Sequence, residues 1–358
     1  MERRRRSYSK YRAKGPMRRI SSFAIILLLS QLSAMAANNL RLYFVDVEGG
    51  AATLIVTPSG ESLLVDTGNP LPDDRDAKRI YAATQQAGLK KINYLFTTHF
   101  DGDHSGGVAA LVKLIPIANF VDHGDTTETE RPRDAQRWEA YKSAAASGKR
   151  ITVKPGDRIP LRGVKVEVVS SNGEVLAKPI IGGGPNPLCK DAKQKDPDKT
   201  ENSRCAGFLL TYGKWKFLDV GDLTWDKEMA LACPVNKLGT VTLYQATHHG
   251  FFGDRSGAPA HLFAIRPQVV VVNNGPRKGL GAPDLYERMT NIPGIEGIWQ
   301  GHLSLALDKQ HNTSEEMIAN LEPSEQCQGR SITVTVEPDG KFIVTNSRNG
   351  FSKTYQAK

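Results

Sequence analysis

Short apolar, β-branched runs alternate with amphipathic stretches along the chain, and their order predicts the layout of the fold. LRLYFVDV, AATLIVTP, a turn at Ser59-Gly60, and SLLVDTG are bounded by Gly, Pro or Asp, which predicts a β-meander from residue 40. DDRDAKRIYAATQQAGL carries Ile80, Ala83 and Ala87 at helical spacing and ends at Gly88; INYLFTT is then a strand leading directly into His99. Next come a helix after Gly107 (VAALVKLI), a strand ANFVD followed by His123, a polar helical stretch over 125–150, and a strand VKVEVVSS. Residues 172–203, rich in Gly, Pro, Lys and Asp and without periodicity, read as a long loop. Beyond it lie strands AGFLLTYG and KWKFLDVGD, a helix near TWDKEMALA, strand TVTLYQATH, a helix near APAHLFAI, and strand QVVVVNN. Two β-rich halves, about 40–170 and 204–345, predict an α/β protein of the α+β type. The expected architecture is an αββα sandwich of two mixed β-sheets with helices on both outer faces, in a single domain over 37–358.

Composition changes this picture mainly at the start of the chain. The 358 residues, 39% hydrophobic, suffice for a sizeable core. Of the formal charge of +9, nearly all belongs to residues 1–36, which hold nine Lys/Arg against Glu2 alone. That basic leader, the apolar run ISSFAIILLLSQLSA and the small-residue site Ala34-Met35-Ala36 have the three parts of a signal peptide, with cleavage expected after Ala36. Met17 begins a compact version of the same signal and is an alternative start. The apolar run is shorter than the about 20 residues of a membrane span, so the expectation is a periplasmic or secreted protein with no membrane segment after cleavage. The near-neutral remainder has no strong nucleic-acid footprint and no interleaving of aromatic and basic residues. In an oxidising compartment Cys189 and Cys205, bracketing a polar stretch, are the best candidates for a disulfide; four free thiols are the alternative.

The chemistry concentrates in THFDGDHSGG, residues 98–107, where His99, Asp101, Asp103 and His104 follow a strand within six positions. A tight loop there brings nitrogen and oxygen donors to one point, as borderline metals such as zinc prefer. Gly102, Gly106 and Gly107 are expected to supply the backbone freedom such a loop needs. This segment resembles the HxHxDH signature of the metallo-β-lactamase superfamily. It looks most like the branch related to the extracellular domain of DNA-uptake competence proteins, in which Asp often replaces the second His, as Asp101 does here. The opening FVDVEGGAATLIVTPSGESLLVDTG is similar to the family's hairpin and DTG turn, KWKFLDVGD to the strand that ends in a metal-bridging Asp, and YQATHHG to the last ligand segment.

The resemblance implies that Asp103, His104, Asp222 and His248 hold one metal. His99 and Asp222, with Asp101, hold the other, and Asp66 orients the ligand loop from behind. Zn2+, one or two ions, is the implied cofactor, with Mn2+ as a second option. His248 and His249, taken as an extended pair, point apart, which makes His248 the ligand and His249 an acid or substrate contact. The family's third His has no counterpart between His123 and His248, leaving His123 and Asn202 as replacements or a single-metal site as the alternative. The implied chemistry is hydrolysis by metal-activated water, with Asp103 or Asp222 orienting the nucleophile. A small-molecule or short phosphodiester substrate, or another phosphate ester, is favoured; a lactonase- or β-lactamase-like acyl hydrolase and a non-catalytic metal-binding module are the alternatives. Arg277 and Lys278 in NNGPRKG and His302 in IWQGHLS are further candidates for substrate contact, and nothing in the pattern sets an oligomeric state.

Overall fold

The computed structural model describes residues 39–323 and 327–358; the predicted leader and its cleavage site lie outside the described residues. Two nine-stranded sheets face one another, covered by helices on their outer sides, as the alternation of elements predicts. The meander Leu40–Phe44, Thr53–Val56 and Ser62–Val65 is antiparallel, and Ile92–Phe96, Ile117–Asp122 and Lys149–Thr152 continue it as parallel strands. In the second sheet Trp215–Asp219, Leu243–Gln245, Val269–Val272 and Gly297–His302 are parallel, while Gly207–Tyr212 and Lys165–Ser171 join antiparallel.

Two features cross the expected halves. Lys165–Ser171 pairs in the second sheet, and the C-terminal strands Ile332–Val336, Lys341–Asn346 and Ser352–Gln356 return to extend the first, beside Leu40–Phe44. The two expected halves therefore interlace among the described residues.

The period-2 pattern decides which side chains go where. Leu42, Phe44 and Ile55 face Phe208, Phe217, Val271 and Trp299 across the inter-sheet core. Tyr43 and Leu54 point outward, under Ile80 of helix Arg75–Gln86 and Trp138 of helix Pro132–Ala145. On the other outer face Leu218 and Val270 pack with Leu262 and Leu285 from helices Pro259–Ile265 and Pro283–Thr290.

The disulfide joins Cys189 to Cys233, not to Cys205. Cys205 is drawn into the second outer core just ahead of Gly207–Tyr212, whereas Cys189 stays near the surface beside the end of helix Trp225–Ala232. The long polar segment, expected to lack structure, acquires a two-residue pairing of Gly184–Pro185 with Val235–Asn236 and 3-10 turns at Pro187–Cys189 and Glu201–Arg204. Among the described residues no helix is long and apolar enough to cross a membrane.

Candidate metal centre

The parallel strands of both sheets deliver the candidate residues at their C-terminal ends, where open α/β sheets commonly form sites. Asp66 follows Ser62–Val65, the loop 98–104 follows Ile92–Phe96, Asp222 follows Trp215–Asp219, and His248 and His249 follow Leu243–Gln245.

Asp66 organises the ligand loop. Its Oδ1 accepts the Thr98 N–H and its Oδ2 accepts the Thr98 hydroxyl, each at 2.8 Å. Oδ2 also lies 2.7 Å from His104 Nδ1, which turns the other ring nitrogen, Nε2, inward. The turn after Asp66 is tied to the loop by Thr67 N–H to His104 O at 2.6 Å and Gly107 N–H to Gly68 O at 3.1 Å. Gly107 serves by close approach rather than by an unusual dihedral. Its φ is −78°, and an added Cβ would meet the Thr67 carbonyl oxygen at 2.1 Å.

Ligand atoms of Asp103, His104, Asp222 and His249 lie within 4.8 Å of one another. His104 Nε2 is 3.2 Å from Asp222 Oδ1, 3.4 Å from Asp103 Oδ2 and 3.3 Å from His249 Nε2. His249 Nε2 is 3.1 Å from Asp103 Oδ2 and 3.4 Å from Asp222 Oδ2. The four-residue group contains His249 where His248 was expected, because Thr247–Phe251 is not extended. His248, His249 and Phe251 have φ of 53°, 55° and 67°, a left-handed run that L-residues adopt at a cost of roughly 1–2 kcal/mol each. The two rings then converge instead of pointing apart, and His248 Nε2 is also 3.4 Å from Asp222 Oδ2.

Next to this group lie His99 and Asp101. His99 is fully buried, its Nε2 3.6 Å from Asp101 Oδ2 and without a hydrogen-bond partner, while Asp101 is 38% exposed. Lys278 reaches in from the loop after Val269–Val272 and pairs with Asp103 Oδ2; Arg277 beside it is exposed.

The remaining candidates sit apart from these contacts. His123 Nε2 bonds Glu201 Oε1 at 2.8 Å, with the ring edge-on to Phe100. Asn202 is buried in the turn next to Glu201. His302 bonds Asp46 Oδ1 at 2.7 Å. Glu201 and Asp46 were not anticipated; a lone acid in a loop or after a strand carries no motif signal.

The electrostatics suit a cation. Burial pushes the Asp222 carboxyl up, but His104, His249 and His248 reverse this and hold it well below the carboxylate range. Asp103 behaves alike, burial being outweighed by His104 and His249. Burial lowers His104, yet Asp222, Asp103 and Asp66 raise it well above its ordinary 6.5. Three carboxylates thus draw positive charge onto His104, a demand that a divalent cation meets more completely. Burial, only partly offset by Asp222, lowers His248 to about 4, leaving it neutral as a ligand requires. The orphaned His99 Nε2 and the mixed nitrogen and oxygen donors fit a zinc-class ion.

Parts of the chain are similar to known proteins. Residues 45–189 match the family model described as metallo-beta-lactamase superfamily. Recombination protein 2 of Haemophilus influenzae is 24% identical over 258 residues, 71% of this chain and 27% of that protein. An atrochrysone carboxyl ACP thioesterase of a Cryptosporiopsis species is 37% identical over 89 residues, 24% of this chain and 27% of that protein. The chain thus matches about a quarter of the length of these curated relatives. Among solved structures, the metallo-beta-lactamase fold protein YhfI from Bacillus subtilis is 12% identical, with 73% of this chain and 96% of that chain covered and a TM-score of 0.45.

Proposed function

Because the chain carries a domain of the metallo-β-lactamase superfamily, typically one of hydrolases, we propose that it is an exported zinc-dependent hydrolase of small phosphate esters or phosphodiesters. The observation that carries this reading is the convergence of Asp103, His104, Asp222 and His249 within 4.8 Å, with the Lys278 ammonium against Asp103.

Asp222 faces His104 through Oδ1 and both His248 and His249 through Oδ2, so its carboxylate would be among the groups that hold a cation there. Asp103, His104 and His249 complete one donor set; His99 and Asp101 contribute to another. The chemistry such a cation would supply, when bound, is Lewis acidity and a lower pKa for water, towards about 7. Asp66 holds the His104 ring in place through Nδ1, and Asp103 Oδ2, between His249 and Lys278, would help hold the cation and orient a water molecule by accepting a hydrogen bond. Lys278, 37% exposed at its side chain, offers a cation to an incoming anionic oxygen and favours phosphate over neutral acyl substrates. The near-neutral chain beyond the leader favours a small or short substrate over a duplex. Export is supported by the basic and apolar leader and by the Cys189–Cys233 disulfide.

The test is elemental analysis of the purified protein together with assays on bis-p-nitrophenyl phosphate, nitrocefin, a homoserine lactone and an acyl thioester. One or two zinc ions with phosphodiester turnover is the expected result. Turnover confined to acyl substrates overturns the phosphate assignment. Neither metal nor turnover after adding zinc or manganese leaves a binding module. Lys278→Met should raise KM for the phosphodiester about tenfold, the scale of one charged hydrogen bond, with a smaller change for the uncharged homoserine lactone.

A further inference from the structure

A second donor cluster lies outside the centre described above, where the loop after Leu40–Phe44 meets the end of Gly297–His302 and the segment entering Ile332–Val336. We propose that Asp46, His302 and Cys327, with the side-chain oxygen of Asn320, form a separate thiolate-containing site for a zinc-class divalent cation.

Ligand atoms of Asp46, His302 and Cys327 lie within 4.8 Å of one another. Asp46 Oδ1 is 2.7 Å from His302 Nε2, Asp46 Oδ2 is 3.2 Å from Cys327 Sγ, and Sγ is 4.0 Å from Nε2. These separations bracket the roughly 3.5 Å expected between ligands about 2.0–2.3 Å from one tetrahedral ion. Asn320 Oδ1, 3.4 Å from Sγ and accepting the Arg330 N–H at 2.8 Å, has a second lone pair to offer, so the set would combine carboxylate, imidazole, thiol and amide. The Gly329 N–H donates to Sγ at 3.3 Å, an interaction that stabilises a thiolate.

Charge balance points the same way. Around the cluster, Asp46, Glu48 and Asp76 are paired with Arg75 and Arg79, leaving one net negative charge in a largely buried network. A thiolate with a divalent ion adds one positive charge and neutralises it; the Cys327 proton leaves to solvent on binding. Arg79 also donates to the Cys327 carbonyl at 3.0 Å, which holds the cysteine's backbone in place as the thiol is deprotonated. The cation would tie the C-terminal strands to the loop that ends at Gly50 and Ala51, whose Ala51 N–H bonds Asp103 O at 3.0 Å.

The experiment loads protein purified without thiol reductant with Co2+ and records the near-ultraviolet thiolate-to-cobalt charge-transfer band. The band is expected in the parent and in Asp222→Ala and absent from Cys327→Ser, with one fewer zinc per chain in Cys327→Ser than in the parent. The other free thiol, Cys205, is fully buried in the second outer core and serves as the internal control. Independently of any variant, zinc should protect Cys327 of the parent from alkylation, read by peptide mass, at least tenfold. No charge-transfer band together with unprotected Cys327 overturns the site, whatever the hydrolytic centre does.

Discussion

The two His/Asp groupings of this molecule differ in how their donors are satisfied. At the candidate hydrolytic centre His99 Nε2 is buried without a partner, and Asp222 is crowded by three histidines. Around Cys327 the donors already bond one another, with Asp46 bonding His302 and the thiol facing Asp46 and Asn320. A cation enters the first grouping by meeting the demand of the unpartnered His99 as well as replacing contacts such as that of His249 with Asp103, and the second by replacing existing hydrogen bonds alone. The first should therefore hold metal more tightly, and a chelator titration should empty the Cys327 site first.

The strongest way to break this comparison is Asp222→Ala. It should reduce turnover at least about a hundredfold, beyond what loss of a supporting group does, and leave the cobalt–thiolate band intact. Loss of the band in that variant would show that the two groupings are coupled.

A second difference lies in pH. Behind the two histidines, fully buried Glu228 accepts the Ala258 N–H at 2.8 Å, and burial pushes its carboxyl from 4.5 up to about 8. Burial likewise pushes Asp219 from 3.8 up to about 7. In these windows the folded state holds protons that the unfolded chain has released. Stability is therefore greatest below the unfolded values and falls as pH rises through about 7 to 8, by on the order of a few kcal/mol. Asp46 has the opposite sign. Burial raises it, but the His302 hydrogen bond and the His302 and Arg79 charges outweigh burial and lower it, so its contribution is lost as pH falls below 3.8. Thermal melts from pH 5 to 9 should show the decline, and Glu228→Gln should flatten it; an unchanged slope would place the responsible proton elsewhere.

The smallest expected effect is that of Asp66→Asn. Without the carboxylate behind His104, metal affinity at the hydrolytic centre should fall about 10- to 100-fold while the Cys327 site keeps its own. Competition with a coloured chelator measures both, and equal losses at the two sites would remove the distinction between them.

Much of the candidate metal centre was legible because its donors are neighbours in sequence. THFDGDHSGG carries four of them in one loop, and DTG and LDVGD end strands whose apolar runs mark them as such. The order of His248 and His249 was not legible, because the left-handed run 248–251 depends on the packing of the turn. An added Cβ at Gly250 would meet Leu280 and Val272 within 3 Å. The C-terminal strands did carry a readable signal, with Ile332, Val334 and Val336 alternating inward. Their place beside the first strand could not be read, since period 2 marks a face and names no partner.

The sequence by itself determined the layers, the strand ends that bear Asp66, His99–His104, Asp222 and the histidine pair, and the clustering of nitrogen and oxygen donors at that edge. All of these follow from local periodicity and contiguous donor chemistry. Only the tertiary structure decided that Cys189 pairs with Cys233, that Glu201 takes His123, that His249 joins the four-residue group, and that Asp46, His302 and Cys327 meet. Each of these joins residues far apart in the chain or depends on a turn, and such contacts are set by how the sheets pack rather than by any local pattern.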